Sequence, residues 1–456
     1  MNKKLQIIKQ ALNGESHDYT LGSIQLNVIL LAIPMILELS LESIFALVDM
    51  YFVSKLGGSA IATVGLTESV ITIIYSIAIG LCTGASAVVA RRVGEKNLSD
   101  ASKSAAQSII LGIFCSLIIA ILGFILAEDI LLFMGAKKDV ISIGLPFTKI
   151  MIGSAPIITF LFLANGIFRG AGNAAISMKS LWIASLANII LCPIFIHWLG
   201  LTGAAIATVI GRSVGVIYQV HAFKKQDGLI KFQLAYFFPN FSLLKNILNI
   251  AYPAALQFII SSGSWIIIIK LISEFGGTEA SAGYQIAFRY FIFFILPAWG
   301  ISNAAATLVG QNIGANQPDR AFQSSMIATK YNIILMFFVM VIFMIFPRQM
   351  MSFFTTDQNI LDHGMTGLRI IGSGFIFYGI AMVMTQSLNG AGDSKSPTKI
   401  NFFCFWIFQT PLAYLLCQIL NLGPKGAMAA LPIAQLVLAI WTWKVFQKRS
   451  WQNIKC

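Results

Sequence analysis

Long apolar segments dominate this chain and limit the solvent in which it can fold. We find twelve stretches of about twenty residues or more with few charges, for example 104–126 and 203–223. A helix needs about 20 such residues to cross a bilayer, whereas a spanning strand needs about half as many in alternation. Only 11% of the 456 residues are charged, against roughly 25% in soluble domains. The sequence therefore predicts a polytopic α-helical membrane protein.

The Lys and Arg residues fall mostly on one side of the predicted membrane. With the N-terminus in the cytoplasm, the opposite side holds only Lys55, Lys137, Lys138, Arg348 and Lys425. The cytoplasmic segments hold most of the others, Arg169 among them. Because loops rich in Lys and Arg stay in the cytoplasm, this uneven distribution of basic residues predicts that both termini are cytoplasmic. The net charge of +13 then marks topology and contact with membrane lipids, and we expect no nucleic-acid partner.

The chain repeats itself at an interval of about 220 residues. Ala85–Ala101 resembles Ala305–Ala321, and Asn165–Gly172 (NGIFRGAG) resembles Thr385–Gly392 (TQSLNGAG). Each half holds six predicted spans, so both halves enter the membrane from the same side. We expect an all-α polytopic fold with twelve transmembrane helices in two six-helix lobes, related by a pseudo-two-fold axis along the membrane normal.

These spans predict five regions along the chain: a cytoplasmic N-terminal segment 1–26, an N-lobe 27–223, a cytoplasmic linker 224–245, a C-lobe 246–446 and a cytoplasmic tail 447–456. Transporters built from parallel repeats bind substrate between the halves and alternate its exposure. The repeat therefore favours a transporter over a channel or a receptor. A membrane-embedded enzyme has little support, because the sequence lacks HExxH, GxSxG and Walker motifs.

Carboxylates inside predicted spans are confined to the N-terminal half. They are Glu38, Glu42, Asp49 and Glu68. The first three are spaced i, i+4 and i+11, so a rotation of about 100° per residue places them within about 40° of one another on one helix face. The matching positions in the repeat are not acidic: Gln257, Ser261 and Ile268.

Three acids on one stripe suggest ion or drug binding. Carboxylates in a bilayer cost about 2.5–3.5 kcal/mol each on insertion scales, and they usually face a cavity and carry function. Burial and a neighbouring like charge generally raise a carboxyl pKa towards neutrality, which makes the group a usable proton carrier. The stripe therefore suits H⁺, Na⁺ or a cationic drug. Alternatively, Glu38 or Glu42 hydrogen-bonds a neighbouring helix or reaches the interface.

Four segments together carry a family resemblance: IPMILELSLESIFALVDMYFVSKLGG, GASAVVARRVGEKN, NGIFRGAGNA and VGQNIGANQPDRA. In their order, and over essentially the whole chain, they resemble the multidrug and toxic compound extrusion (MATE) family in its bacterial DinF-like branch. The resemblance implies two six-helix lobes and drug efflux driven by entry of H⁺ or Na⁺. We accordingly expect a monomer in the bacterial inner (cell) membrane, with small-molecule drugs or toxins as partners and no cofactor beyond the coupling ion.

The resemblance also assigns roles to single residues. The aspartate of the family's first helix matches Asp49, its asparagine on helix five matches Asn188, and its threonine on helix six matches Thr208. Two positions depart from the family. Cys192 stands where some relatives have an aspartate, and Phe147 stands where they have a tyrosine. The cation site is thus partly dismantled, which favours H⁺ over Na⁺ as the coupling ion, with the other two acids of the stripe supplying negative charge.

Further candidates for lining a substrate cavity are Glu68, Gln257, Ser261, Tyr284 and Arg289. Aromatic residues such as Tyr284 can line a promiscuous pocket, although they more often fill helix packing. Arg289 alternatively hydrogen-bonds backbone carbonyls at a helix break. No metal site follows from the scattered Cys and His residues.

The sequence thus predicts a secondary active multidrug efflux transporter. It would export organic cationic or amphipathic compounds by antiport with H⁺, or alternatively with Na⁺. The nearest alternative is a lipid-linked or polysaccharide flippase of the same superfamily, in which the cavity is typically basic and poor in acids.

Overall fold

The computed structural model describes residues 3–14, 17–224 and 229–454. Within these ranges every regular element is helical and no strand occurs, so the predicted all-α class is confirmed. Parts of the predicted N-terminal segment, linker and tail lie outside the described residues, namely 1–2, 15–16, 225–228 and 455–456.

The first half of the chain contains nine of the described helices. They are α1 Lys3–Asn13, α2 Ile24–Ser54, α3 Gly58–Gly94, α4 Leu98–Ile125, α5 Ala127–Phe133, α6 Lys138–Gly153, α7 Ala155–Gly170, α8 Ala174–Leu199 and α9 Leu201–Lys224. A short 3₁₀ helix, Leu234–Phe237, follows in the connection to the second half.

The second half contains the remaining described helices. They are α10 Phe241–Gly314, α11 Pro318–Ile345, α12 Pro347–Ser352, α13 Gln358–Ser373, α14 Phe375–Gly390, α15 Lys395–Phe402, α16 Thr410–Tyr414 and α17 Pro424–Gln447. Two π-helical segments, Phe403–Gln409 and Leu415–Ile419, continue α15 and α16, so that Lys395–Ile419 is one span.

The described helices supply the twelve predicted spans. Nine helices are long and apolar enough to cross a membrane, and the bent pairs α6–α7 (40°) and α13–α14 (49°) each add one span. Helix α10 counts once among the nine although it has 74 residues, and Gly277 interrupts it with φ 69° and ψ −166°. Counting α10 as two spans gives twelve, with six in each half.

The backbone repeats together with the sequence. Gly57 and Gly277 both have positive φ where the second span of each half begins, and Lys96 and Asn316 both have positive φ just after that span ends. Gly57, at φ 97°, adopts a conformation that only a residue without a Cβ reaches readily. Matching turns at matching positions indicate that both halves follow one backbone plan.

Contacts group the chain into two compact units. Of the described residues, unit 1 contains those before Tyr19 and those from Ile33 to Ala255, whereas unit 2 contains Tyr19–Ala32 and those from Leu256 to Ile454. In each half the boundary falls inside the first span, close to Pro34 and Pro253. The start of each first span is therefore grouped with the unit that the opposite half forms.

Small residues set how closely α7 packs in unit 1. A Cβ on Gly166 would lie 2.5 Å from the carbonyl oxygen of Cys82, and one on Gly170 would lie 2.6 Å from that of Ser86. Small residues four positions apart allow helix backbones to approach closely in membranes. Helix α7 therefore lies directly against α3, and this contact buries the C-terminal end of α7.

Candidate functional site

Helix α2 forms the acid stripe (Glu38, Glu42 and Asp49) that the sequence predicts. The helix continues through Pro34 from Ile24 to Ser54, so the spacing of the three acids places them on one face. Glu38 is only 1% exposed, and the other two acids are half-buried. All three belong to unit 1.

Glu38 forms a buried ion pair with Arg169. Nη1 of Arg169 donates to Oε1 of Glu38 at 3.3 Å, and Nη2 of Arg169 donates to Sγ of Cys82 at 2.8 Å. Nδ2 of Asn165 donates to the same Oε1 at 3.3 Å. Among the described atoms, Oε2 of Glu38 has no hydrogen-bond partner. Removing either charge would strand the other, which is strongly unfavourable in a buried setting.

A polar network orients Asn165 behind this ion pair. Oδ1 of Asn165 accepts from Nε2 of Gln219 at 2.7 Å and from Oγ of Ser180 at 3.0 Å. All three residues are almost fully buried, and they come from α7, α8 and α9. Three helices thus fix the position of one amide, which in turn positions the carboxylate of Glu38.

A cavity lies beside the stripe in unit 1. Its polar lining comes from Glu42, Ser185, Asn188, Thr208 and Arg212, and its apolar lining from Phe45, Leu161, Phe162, Leu181 and Ala184. Nδ2 of Asn188 donates to Oγ1 of Thr208 at 2.9 Å. The structure therefore brings three of the sequence-derived candidates, Glu42, Asn188 and Thr208, to one cavity.

Arg212 is the cation in the lining of this cavity. Its Nη2 donates to the hydroxyl of Tyr75, and the guanidinium carbon lies 5.3 Å from the centre of the Tyr75 ring. Its Nη1 is buried and has no hydrogen-bond partner among the described atoms. Glu42 and Asp49 act on Arg212 electrostatically, but the ion pairs of the described residues do not include it.

Asp49 is contacted by the residue that departs from the family. Sγ of Cys192 donates to Oδ1 of Asp49 at 3.3 Å, and Cys192 is fully buried. Phe147, the other position that departs from the family, belongs with Cys192 to one cluster of buried apolar residues. A thiol is only a weak donor, and a phenyl ring offers no oxygen, so neither of these two positions supplies the oxygen ligands that hard cations prefer.

Glu68 and Arg289 occupy exposed positions. Glu68 lies on an exposed face of α3 and is not part of the cavity lining, although it acts electrostatically on Tyr75. Arg289 is exposed on α10, and the helix continues past it, since the interruption of α10 lies at Gly277. The helix break that we considered as a partner for Arg289 is therefore not at this residue.

The other cavity candidates lie in unit 2. Nε2 of Gln257 donates to Oδ1 of Asn389 at 3.1 Å, and the hydroxyl of Ser261 donates to the backbone carbonyl of Gln257 at 2.8 Å. Tyr284 is fully buried in an aromatic core, where its ring stacks 5.8 Å from that of Phe288. Their part in a substrate cavity remains a prediction.

The buried contacts of Arg169 were not predicted from the sequence. We counted it among the basic residues of the cytoplasmic segments, and it lies in the last turn of α7, where it is 8% exposed. The close contact of α7 with α3 causes this burial, and hydropathy carries no information on such packing. The repeat did contain a signal: Glu38 matches Gln257 and Arg169 matches Asn389, so both charges change to amides together.

A duplicated helical membrane protein with a charged cluster in one half is typical of membrane transporters. The MatE family model matches residues 34–194 and 253–415, one stretch in each half. The chain therefore belongs to the MatE family of transporters.

Named relatives match nearly the whole chain. Over 419 residues, it is 27% identical to the probable multidrug resistance protein NorM of Thermotoga maritima, covering 89% of this chain and 88% of that one. Over 428 residues, it is 25% identical to the probable multidrug resistance protein YoeA of Bacillus subtilis, covering 92% of each. A multidrug resistance MATE family transporter solved in an outward-facing conformation has a TM-score of 0.91 at 26% identity, with 100% of both chains covered.

Proposed function

We propose that this chain is a secondary active efflux transporter of the bacterial cell membrane, with both termini in the cytoplasm. It exports organic cationic or amphipathic drugs or toxins in exchange for H⁺. The main support is the acid stripe, which lies beside a cavity in unit 1 and has no acidic counterpart at the matching positions of unit 2. The names of the NorM and YoeA relatives support drugs as substrates.

The surroundings of Asp49 favour H⁺ over Na⁺ as the coupling ion. Asp49 has a thiol donor from Cys192 at 3.3 Å, where a second carboxylate would have served Na⁺ better. Asp49 is the principal coupling acid in this proposal. Glu38 and Glu42 tune its proton affinity or contact cationic substrate.

Protonation of Asp49 would change how α2 packs. A neutral Asp49 no longer needs its polar surroundings, so α2 can repack or bend near Pro34, where the backbone lacks one hydrogen bond. The boundary between the units crosses α2 at the same place. A tenfold difference in proton affinity between two states is worth about 1.4 kcal/mol per site. That is enough to bias a nearly balanced equilibrium between inward-open and outward-open states.

Transport in proteoliposomes tests the proposal directly. The full chain is reconstituted, loaded with a fluorescent organic cation, and given a proton gradient or a sodium gradient separately. We expect the proton gradient alone to drive efflux and the sodium gradient to add little. Efflux driven by Na⁺ alone would contradict the choice of coupling ion, and movement under neither gradient would contradict antiport itself.

A further inference from the structure

Arg212 has no role in the transport cycle described above, although it lies in the cavity. We propose that Arg212 is a specificity-determining residue that binds a carboxylate group of the substrate. The cavity would then take organic zwitterions, which join a carboxylate to a cationic group. This inference rests on the proposed transport function and narrows its substrate class.

The guanidinium of Arg212 is held in place by Tyr75 on one side. Tyr75 binds Nη2 and supports the guanidinium with its ring, while Nη1 is buried and has no hydrogen-bond partner among the described atoms. A buried donor without a partner is costly. A guanidinium in a fixed orientation is well suited to bind a carboxylate, because its planar fork matches the two oxygens.

Arg169, which is buried in unit 1, shows a guanidinium whose hydrogen-bonding groups have partners within the protein. Arg169 donates Nη1 to Glu38 and Nη2 to Cys82, so both amino groups have partners within the protein. Glu42 and Asp49 interact electrostatically with Arg212. Its only hydrogen bond among those described is nevertheless to the neutral hydroxyl of Tyr75. Of the two arginines, Arg212 is the one that can accept an anion from outside the protein.

The rest of the cavity suits the other parts of a zwitterion. Glu42 lies in the same lining and can pair with a cationic group, while Phe45, Leu161 and Phe162 offer apolar surface to the body of the molecule. A zwitterion would give each buried charge a partner. A purely cationic ligand would instead place a positive charge near Arg212, and like charges repel.

A matched pair of dyes tests this assignment. One is a cationic xanthene dye with a free carboxylate, and the other is its methyl ester, in which an uncharged ester replaces the carboxylate. Binding of each to the purified full-length protein is measured by fluorescence anisotropy. We expect the protein to bind the acid about tenfold or more tightly than the ester, as for a charge-assisted hydrogen bond.

Substitutions of Arg212 test whether this residue causes the preference for the acid over the ester. Arg212→Gln should lose the preference for the acid while it binds the ester at least as well as the parent protein does. Arg212→Lys keeps a point charge but loses the fork, so its preference should fall to a few-fold, and this variant carries the test if Arg212→Gln fails to fold. Arg369→Gln, which removes an exposed arginine of unit 2, should leave both affinities unchanged.

The outcomes separate this inference from the transport proposal. Equal binding of acid and ester by the parent protein, or an undiminished preference in Arg212→Gln or Arg212→Lys, would overturn the role of Arg212 even if efflux occurs. Conversely, a preference that depends on Arg212 in a protein that moves neither dye under a proton gradient would support the subsite and contradict the proposed antiport.

Discussion

The two units bury different pairs of side chains at matching positions of the repeat. In unit 1 the carboxylate of Glu38 pairs with Arg169 at 3.3 Å. In unit 2 the matching residues are Gln257 and Asn389, and their amides bond reciprocally, with Nε2 of Gln257 to Oδ1 of Asn389 at 3.1 Å and Nδ2 of Asn389 to Oε1 of Gln257 at 3.3 Å. One backbone plan thus holds an ion pair in one half and an amide pair in the other.

The amide pair shows that the fold does not require charges here. Nε2 of Gln257 also reaches Oγ1 of Thr398, so unit 2 builds a well-connected polar contact without burying a charge. A buried ion pair is costly to desolvate and is often no more stabilising than neutral side chains of similar size. Oε2 of Glu38 has no hydrogen-bond partner among the described atoms, so we propose that the ion pair of unit 1 serves transport and not stability.

The largest effect on transport should come from Asp49. Asp49→Asn copies the neutral acid at nearly constant shape, so we expect normal insertion and folding but no efflux under a proton gradient. The matched control is Ile268→Val in unit 2, at the position that corresponds to Asp49, which should transport normally. Both are measured as gradient-driven efflux from proteoliposomes, with expression and monodispersity in detergent checked in parallel.

Full coupled efflux by a well-folded Asp49→Asn protein would contradict the choice of Asp49 as the principal coupling acid. The leading candidates would then be Glu38, which is ion-paired in unit 1, and Glu68, which is exposed on α3.

The largest effect on stability should come from Arg169. Arg169→Ala leaves the carboxylate of Glu38 buried without its counter-charge, which costs roughly 3–5 kcal/mol. Asn389→Ala in unit 2 removes neutral hydrogen bonds, each worth about 1 kcal/mol. Thermal unfolding in detergent should show a clearly larger loss in Tm for Arg169→Ala. Equal losses would mean that the charge of the pair adds no special cost.

The architecture could largely be predicted from the sequence, because twenty-residue apolar runs and the 220-residue repeat directly constrain a membrane fold. Helix packing could not be predicted in the same way. The predicted span 139–168 is in fact a bent pair, α6 and α7, and α7 extends to Gly170. Hydropathy registers how apolar a segment is, but not that it bends or what it packs against.

The sequence predicted the arrangement of the acidic residues in the candidate site, but not that of its arginines. Periodicity placed Glu38, Glu42 and Asp49 on one face, because helix geometry is fixed by the backbone. Arg169 and Arg212 come from other helices, and only tertiary packing brings them to the stripe. Their partners, such as Cys82 and Tyr75, are unremarkable residue types that a single sequence does not mark as functional.

A smaller effect is expected from Glu42, which lines the cavity but forms no ion pair among those described. Glu42→Gln should lower the rate of proton-driven efflux several-fold without abolishing it, because Asp49 remains. Ser261→Ala, at the matching position of unit 2, should change the rate less, and Gln257→Ala least of all. Initial efflux rates at matched protein content provide the comparison. A Ser261→Ala defect as large as that of Glu42→Gln would mean that the units do not differ in function.

The smallest effect on stability should come from making unit 1 resemble unit 2. The double variant Glu38→Gln with Arg169→Asn replaces the ion pair by the amides found at the matching positions. Neither side chain is left charged, so the double variant should unfold within about 1 kcal/mol of the parent protein, although Arg169→Asn alone strands a carboxylate. A double-mutant cycle on Tm then isolates the coupling between the two charges. If Glu38 only tunes Asp49, the double variant should still transport under a proton gradient, with its pH dependence shifted. If it is as stable as the parent but transports nothing, Glu38 is itself a coupling acid. If it is no more stable than Arg169→Asn alone, the ion pair is structural, and the comparison between the units loses its functional meaning.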